Sequence, residues 1–127
     1  MDWISGIQKA INYTEEHLCD EIDYEAIARQ AASSSFHFQR VFSMICGFTL
    51  GDYIRMRRLS LAAEALRHTD DKIINIALDY GYESPESFTR AFTRFHGITP
   101  TQARHGEKVR SFSRLSVKLT LDGGNFM

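Results

Sequence analysis

The strongest constraint on this chain is an internal repeat. Residues Ser34–Gly47, SSFHFQRVFSMICG, return fifty positions later as Ser84–Gly97, SPESFTRAFTRFHG, with matches at Ser34/Ser84, Phe38/Phe88, Arg40/Arg90, Phe42/Phe92, Gly47/Gly97 and, just beyond, Thr49/Thr99. One structural unit is used twice.

Each copy reads as a short helix with a start and a stop. Ser34 and Ser84 can cap the first turn by accepting from one of its orphan N–H groups, and Pro85 suits the first helical position, where a missing N–H costs nothing. Gly47 and Gly97 can supply the left-handed residue that ends a helix. Between them, Phe38, Val41, Phe42 and Ile45 fall at i, i+3, i+4 and i+7, and Phe88, Ala91, Phe92 and Phe95 repeat that stripe, so each helix is expected to bury one face.

The opposite faces carry Phe36, Gln39, Arg40 and Ser43 in the first copy and Glu86, Thr89, Arg90 and Thr93 in the second. A solvated helix surface would ordinarily hold a Glu/Lys mixture. Here the side chains are ones that hydrogen-bond base edges, and Phe36 is an aromatic on the wet side that could meet a thymine methyl. Such a helix suits a major groove.

The length of 127 residues allows one domain or two very small ones, with 43% hydrophobic residues for a core. No apolar run approaches the eighteen or so residues of a membrane span, and MDWISGIQ lacks the layout of a signal peptide, so a soluble, intracellular, cytoplasmic protein is expected. Cys19 and Cys46 form neither a CxxC nor a disulfide framework. The net charge of −1 argues against a uniformly basic nucleic-acid binder, but the charge is segregated. Residues 1–33 hold two basic and seven acidic side chains, and 59–83 hold two and five; 34–58 hold four and one, and 84–110 five and two. Positive charge gathers in the repeated segments.

In chain order, a first helix is expected from about Trp3 to Leu18 with Ile4, Ile7, Ile11 and Leu18 on one stripe. Asp23 can cap a second through about Ala32, with Ile22 and Ile27 as a hydrophobic staple, and 31–34 makes a tight turn into the first repeated helix. Helix, short turn, helix is the bihelical DNA-binding layout. Thr49 can cap a long helix from about Leu50 to Arg67, burying Met56, Leu59, Ala62, Ala63 and Leu66. Its length of roughly 27 Å is close to the spacing of about 34 Å between successive major grooves on one side of B-DNA. Near its start, Arg55, Arg57 and Arg58 could reach phosphates or pair with acids. A second bihelical unit follows, with Ile73, Ile76, Ala77 and Tyr80 facing inward, a turn through Gly81, and a last short helix from Thr99-Pro100 to about His105.

From about Ile7 to Arg104 the chain resembles the AraC/XylS family of bacterial transcription regulators, most specifically through Ile76-Ala77, Gly81-Tyr82, Ser84, Ser87-Phe88, Arg90, Phe92, Phe95, Gly97 and Thr99-Pro100. The resemblance implies an all-α fold of about seven helices, two helix-turn-helix subdomains joined by a long linker helix. The DNA-binding domain is then 1–110, divided into a first unit at 1–49, the linker helix at 50–67 and a second unit at 68–110. It further implies sequence-specific binding of a double-stranded operator, two recognition helices (about 35–45 and 85–95) in adjacent major grooves, a monomeric DNA-binding part, and RNA polymerase as a further partner. Base contacts fall to Phe36, Gln39 and Arg40 in the first unit and to Glu86, Ser87, Thr89 and Arg90 in the second. Phosphate contacts fall to Ser34, His37, Ser43, Thr49, Arg55, Arg58, Thr93, Arg94 and Thr99. The chain departs from the family pattern at Ala32, where glycine is common, and at Glu86, whose carboxylate next to DNA implies a more permissive second reader.

Residues 111–127 change character. Leu115, Val117, Leu119 and Leu121 alternate with polar residues in the period-two pattern of a half-buried strand, and Asp122-Gly123-Gly124 is a turn signal. This β-like tail resembles the junction to a GyrI-like effector-binding domain, through which alone a small molecule would act. Against catalysis, the histidines at 17, 37, 68, 96 and 105 have no metal-ligand spacing, no phosphate loop or nucleophile motif is present, and no cofactor is implied. The competing reading is a protein-interaction module using the acidic faces and Phe36.

Overall fold

The structure, a computed structural model, describes residues 2–117. Seven helices follow one another: α1 (Trp3–Glu16), α2 (Tyr24–Arg29), α3 (Ser35–Cys46), α4 (Leu50–His68), α5 (Ile73–Asp79), α6 (Pro85–His96) and α7 (Pro100–Arg104). Local chemistry sets most of their ends. Asp2 and Asp23 accept from first-turn N–H groups of α1 and α2, and Ser34 and Ser84 do the same for α3 and α6. Thr49 with Asp52, and Thr99 with Gln102, form reciprocal capping boxes for α4 and α7. Gly47 and Gly97 end α3 and α6 in the left-handed conformation, at φ 82° and 78°.

The repeat produces two cores. Ile7, Ile11, Ile27, Phe38 and Phe42 pack with Leu50, Tyr53 and Ile54 from the first half of α4. Leu59, Ala62, Ala63 and Leu66 from its second half pack with Ile76, Phe88, Phe92 and Ala103. The linker helix is therefore a structural member of both units, and its alanines let α5, α6 and α7 lie close to it. The two turns correspond as well: Ser33 N donates to Ala28 O, and Tyr82 N to Ala77 O.

Several expectations need correcting. Both early helices stop short, α1 at Glu16 and α2 at Arg29. The buried stripes follow the i+4 row, Phe38–Phe42–Cys46 and Phe88–Phe92–His96, so Ile45 is 48% exposed while Cys46 packs against the core. The reason is tertiary: partners on α4 select that row, Tyr53 meeting the Phe42 ring edge-on and the Leu59 carbonyl accepting from His96. Met56 is only half-buried; Tyr53 and Ile54, one turn earlier, fill the first core. The tail forms no strand among the described residues. Its backbone instead uses side chains as partners: Phe112 N donates to Ser60 Oγ (2.9 Å), Leu115 N to Tyr53 Oη (3.3 Å) and Val117 N to Gln8 Oε1 (2.8 Å). Leu119, Leu121 and the 122–124 turn signal lie outside the described residues.

Candidate nucleic-acid interface

The outward face of α3 is built by position. With the row of Phe38 and Phe42 buried, residues 36, 39, 40, 43 and 44 turn away from the core, and they enclose a shallow concavity of about 430 Å³. Phe36 is 73% exposed and Met44 79%, an unusual cost for two apolar side chains on one helix face. The Arg40 guanidinium lies over the Phe36 ring, 5.8 Å from its centroid, so an aromatic one turn earlier steadies the cation. Gln39 Nε2 donates to Ser35 Oγ at 2.9 Å, which orients the amide.

The equivalent face of α6 holds Pro85, Glu86, Thr89 and Arg90 around a concavity of about 440 Å³. Glu86 and Arg90 are exposed; Glu86, in the first turn, also sits where the helix dipole favours an anion. Ser87 is turned back, its hydroxyl donating to Ser84 O at 3.0 Å while its N–H donates to Ser84 Oγ at 3.1 Å. It retains acceptor capacity only. Position for position, Phe36 faces as Glu86 does, Gln39 as Thr89, Arg40 as Arg90 and Met44 as Arg94.

The expected phosphate contacts divide into groups. Ser34, Thr49 and Thr99 spend a lone pair on capping N–H groups and keep a proton to donate. His37 is exposed at the start of α3, its ring edge-on to Trp3 at 5.4 Å. Ser43 and Arg94 lie toward the ends of their helices, and exposed Arg55 pairs with Asp52 at 3.0 Å. The Thr49 cap bonds, with Arg55 adding, hold the Asp52 carboxyl below the usual range. Thr93 and Arg58 are differently engaged. The Thr93 hydroxyl is buried with no hydrogen-bond partner among the described residues. Arg58 donates to Leu18 O and Asp20 O, both at 2.8 Å. Arg57 pairs with an acid: it meets Glu15 at 2.8 Å with only 12% and 7% of the two side chains exposed, and it also donates to Phe112 O.

Two features near these faces escaped sequence reasoning. Met44 interrupts no pattern, although its place one turn beyond Arg40 on the outward row marks it. Arg110 gave no signal; its guanidinium stands 5.1 Å from the Phe95 ring centroid. No group of described residues could hold a metal ion, and no described helix is long and apolar enough to cross a membrane.

A helix-turn-helix domain model matches residues 27–106. Among similar proteins, the regulatory protein SoxS of Escherichia coli strain K12 is 41% identical over 99 residues, covering 78% of this chain and 92% of SoxS. The HTH-type transcriptional regulator YbfP of Bacillus subtilis is 44% identical over 100 residues, 79% of this chain but 34% of YbfP. The chain thus spans nearly all of one relative and about a third of the other. Among solved structures, the DNA-binding domain of AdpA in complex with a target DNA superposes with a TM-score of 0.71 at 25% identity, covering 80% of this chain and 91% of that one. An AraC-type regulator from Chromobacterium violaceum shares the fold, with a TM-score of 0.73 at 24% identity over 79% and 89% of the two chains. By the matched domain and by SoxS, similar along nearly its whole length, the chain belongs to the AraC-type helix-turn-helix family of transcription regulators, a family of regulators rather than enzymes.

Proposed function

We propose that this chain binds a double-stranded DNA operator sequence-specifically, with α3 and α6 in adjacent major grooves and α3 as the principal reader. The observation that carries this reading is the pair of outward helix faces, equivalent by the repeat, exposed, and supplied with base-reading side chains. On α3, Arg40 suits guanine O6 and N7, Gln39 suits adenine N6 and N7, and Phe36 suits a thymine methyl. On α6, Arg90 and Thr89 read while Glu86 accepts from a cytosine amino group or repels phosphate, which makes this half more permissive. Phosphate contacts come from Ser34, His37, Ser43, Thr49, Arg55, Arg94 and Thr99; Arg58 and Thr93 are left out because one is tied to backbone carbonyls and the other has a buried hydroxyl. The DNA-binding part acts as a monomer in the cytoplasm. RNA polymerase contact, and effector control through a domain outside this chain, extend the same reading.

Selection of bound sequences from a random duplex pool tests it. Two motifs about one helical turn apart are expected, the stronger contacted by α3. A single motif would remove α6 from base reading. Binding without sequence preference would overturn the function proposed. DNA binding through several phosphates should weaken steeply as salt rises, whereas the competing protein-interaction reading, in which DNA plays no part, predicts partner binding that does not.

A further inference from the structure

Between the start of α4 and the flank of α6 lies a groove of about 390 Å³ lined by Arg55, Met56, Ala91, Arg94, Phe95 and Arg110. It has three guanidinium groups and no carboxylate in its lining. Asp52 pairs with Arg55 from outside it, and neither Arg94 nor Arg110 pairs with a carboxylate among the described residues. Three cations around one small apolar-floored space repel one another unless an anion joins them. Its position is informative: Glu86, Arg90 and Arg94 follow at four-residue intervals and share one face of α6, so the groove begins where the outward face of that helix ends.

Arg110 is also held in place. Val109 packs against the second core and Phe112 against the first, Phe112 N is bonded to Ser60 and its carbonyl oxygen to Arg57, and the Phe95 ring supports the guanidinium. The backbone is anchored on both sides of an exposed cation and the Phe95 ring braces its guanidinium, so less freedom is lost on binding than for an unsupported arginine.

We propose that Arg55, Arg94 and Arg110 grip the DNA sugar-phosphate backbone alongside the outward face of α6, with Arg110 as a phosphate contact supplied from outside both recognition helices. This inference rests on the DNA-binding reading above. A guanidinium matches a phosphate with two parallel N–H donors, and a contact of this kind adds affinity on any sequence.

The test uses the full chain with Arg110→Gln and Arg110→Lys, titrated against a selected duplex and a random duplex between 50 and 200 mM salt. One phosphate contact fewer lowers the slope of log affinity against log salt by about 0.9, which corresponds to about eightfold weaker binding at 0.1 M. For Arg110→Gln that loss is expected equally on both duplexes, and Arg110→Lys, which keeps the charge but not the planar fork, should restore the slope. An unchanged slope in Arg110→Gln, with a steep slope in the unaltered chain, overturns the Arg110 contact and leaves the DNA-binding reading standing. A loss confined to the selected duplex, or a slope that Arg110→Lys does not restore, also overturns it. If the unaltered chain binds neither duplex, the functional reading fails and the groove assignment with it.

Discussion

Ala32 is the only non-glycine residue among those described with a left-handed backbone, at φ 51°. Its counterpart in the second unit is Gly81 at φ 86°, and both close their turns with the same backbone bonds, Ala32 N to Arg29 O and Gly81 N to Leu78 O. A side chain there costs about 1–2 kcal/mol, partly offset because glycine has more unfolded-state freedom to lose. Ala32 is exposed, so no packing is given up, and Ala32→Gly should raise stability by about 0.5–1 kcal/mol, read from the urea midpoint at unchanged m-value. His96 carries the opposite kind of strain. It occupies in the second core the position that Cys46 takes in the first, donating from Nε2 to Leu59 O at 2.8 Å. Burial pushes its pKa down, against the opposing pull of hydrogen bonds to the Leu59 carbonyl and the Arg110 backbone. A base whose folded pKa is depressed binds fewer protons folded than unfolded. Its contribution is therefore complete above the unfolded pKa of about 6.5 and is lost as pH falls below that value. Stability of the unaltered chain should decline on acidification below about pH 6.5 more steeply than that of His96→Gln, and parallel profiles would remove His96 as the cause. At the interface, Arg40→Ala should cost about 1–3 kcal/mol on the selected duplex and relax the preference at one base. Equal losses on selected and random DNA would make Arg40 a phosphate contact instead.

Among the elements, the tail departs furthest from its sequence pattern. Alternating apolar residues suggested a strand, yet through Val117 the segment lies across α4 and α1 with its N–H groups bonded to Ser60, Tyr53 and Gln8. Phe112 stands edge-on to both Phe48 and Tyr53. Removing that half-buried ring should cost about 2 kcal/mol, roughly half the loss for a fully buried phenylalanine. In Phe112→Ala, hydrogen exchange should accelerate in α1–α3 before it does so in α6; uniform acceleration would mean that the two cores open together. The recognition helices, by contrast, were legible in detail because their signals are local: a capping serine, a glycine stop and a 3.6-residue period lie within fourteen positions. What stayed hidden depends on partners distant in sequence. Nothing near Arg57 announces Glu15, 42 positions away, as the acid it pairs with, nor Tyr53 Oη as a second donor to that carboxylate. The choice of Cys46 over Ile45 for the core turns on which row meets partners distant in sequence, such as Tyr53 against Phe42, which periodicity alone does not contain. Of the residues expected to face outward, the periodicity placed Phe36, Arg40, Glu86 and Arg90 on exposed positions, but it did not show that the Thr93 hydroxyl is buried, that Ser87 turns back onto Ser84 or that Arg58 is held by the carbonyls of Leu18 and Asp20.

At the scale of the whole molecule, the proposed reading of two grooves at once requires that the units keep a set spacing and rotation. Three connections supply this: the continuous α4, the tail crossing from Val109 in the second core to Phe112 in the first, and Arg58. Arg58 stands in the cleft of about 750 Å³ between the units. It donates to Leu18 O and Asp20 O on one wall and lies so close to Gly81 on the other that a methyl there would come within 2.6 Å of Nη1. Glycine at 81 thus serves both the positive φ and the approach of the guanidinium. If Arg58 ties the units and touches no phosphate, Arg58→Ala should leave the salt slope of DNA binding unchanged and alter the tolerance to spacing. One base pair inserted between the two motifs rotates them by about 34° and separates them by about 3.4 Å. The unaltered chain should lose affinity sharply on that duplex, whereas Arg58→Ala should bind the selected duplex more weakly and lose less on the inserted one. A salt slope reduced by about 0.9 in Arg58→Ala, with the insertion penalty intact, would return Arg58 to the phosphate contacts and leave α4 and the tail as the ties between the units.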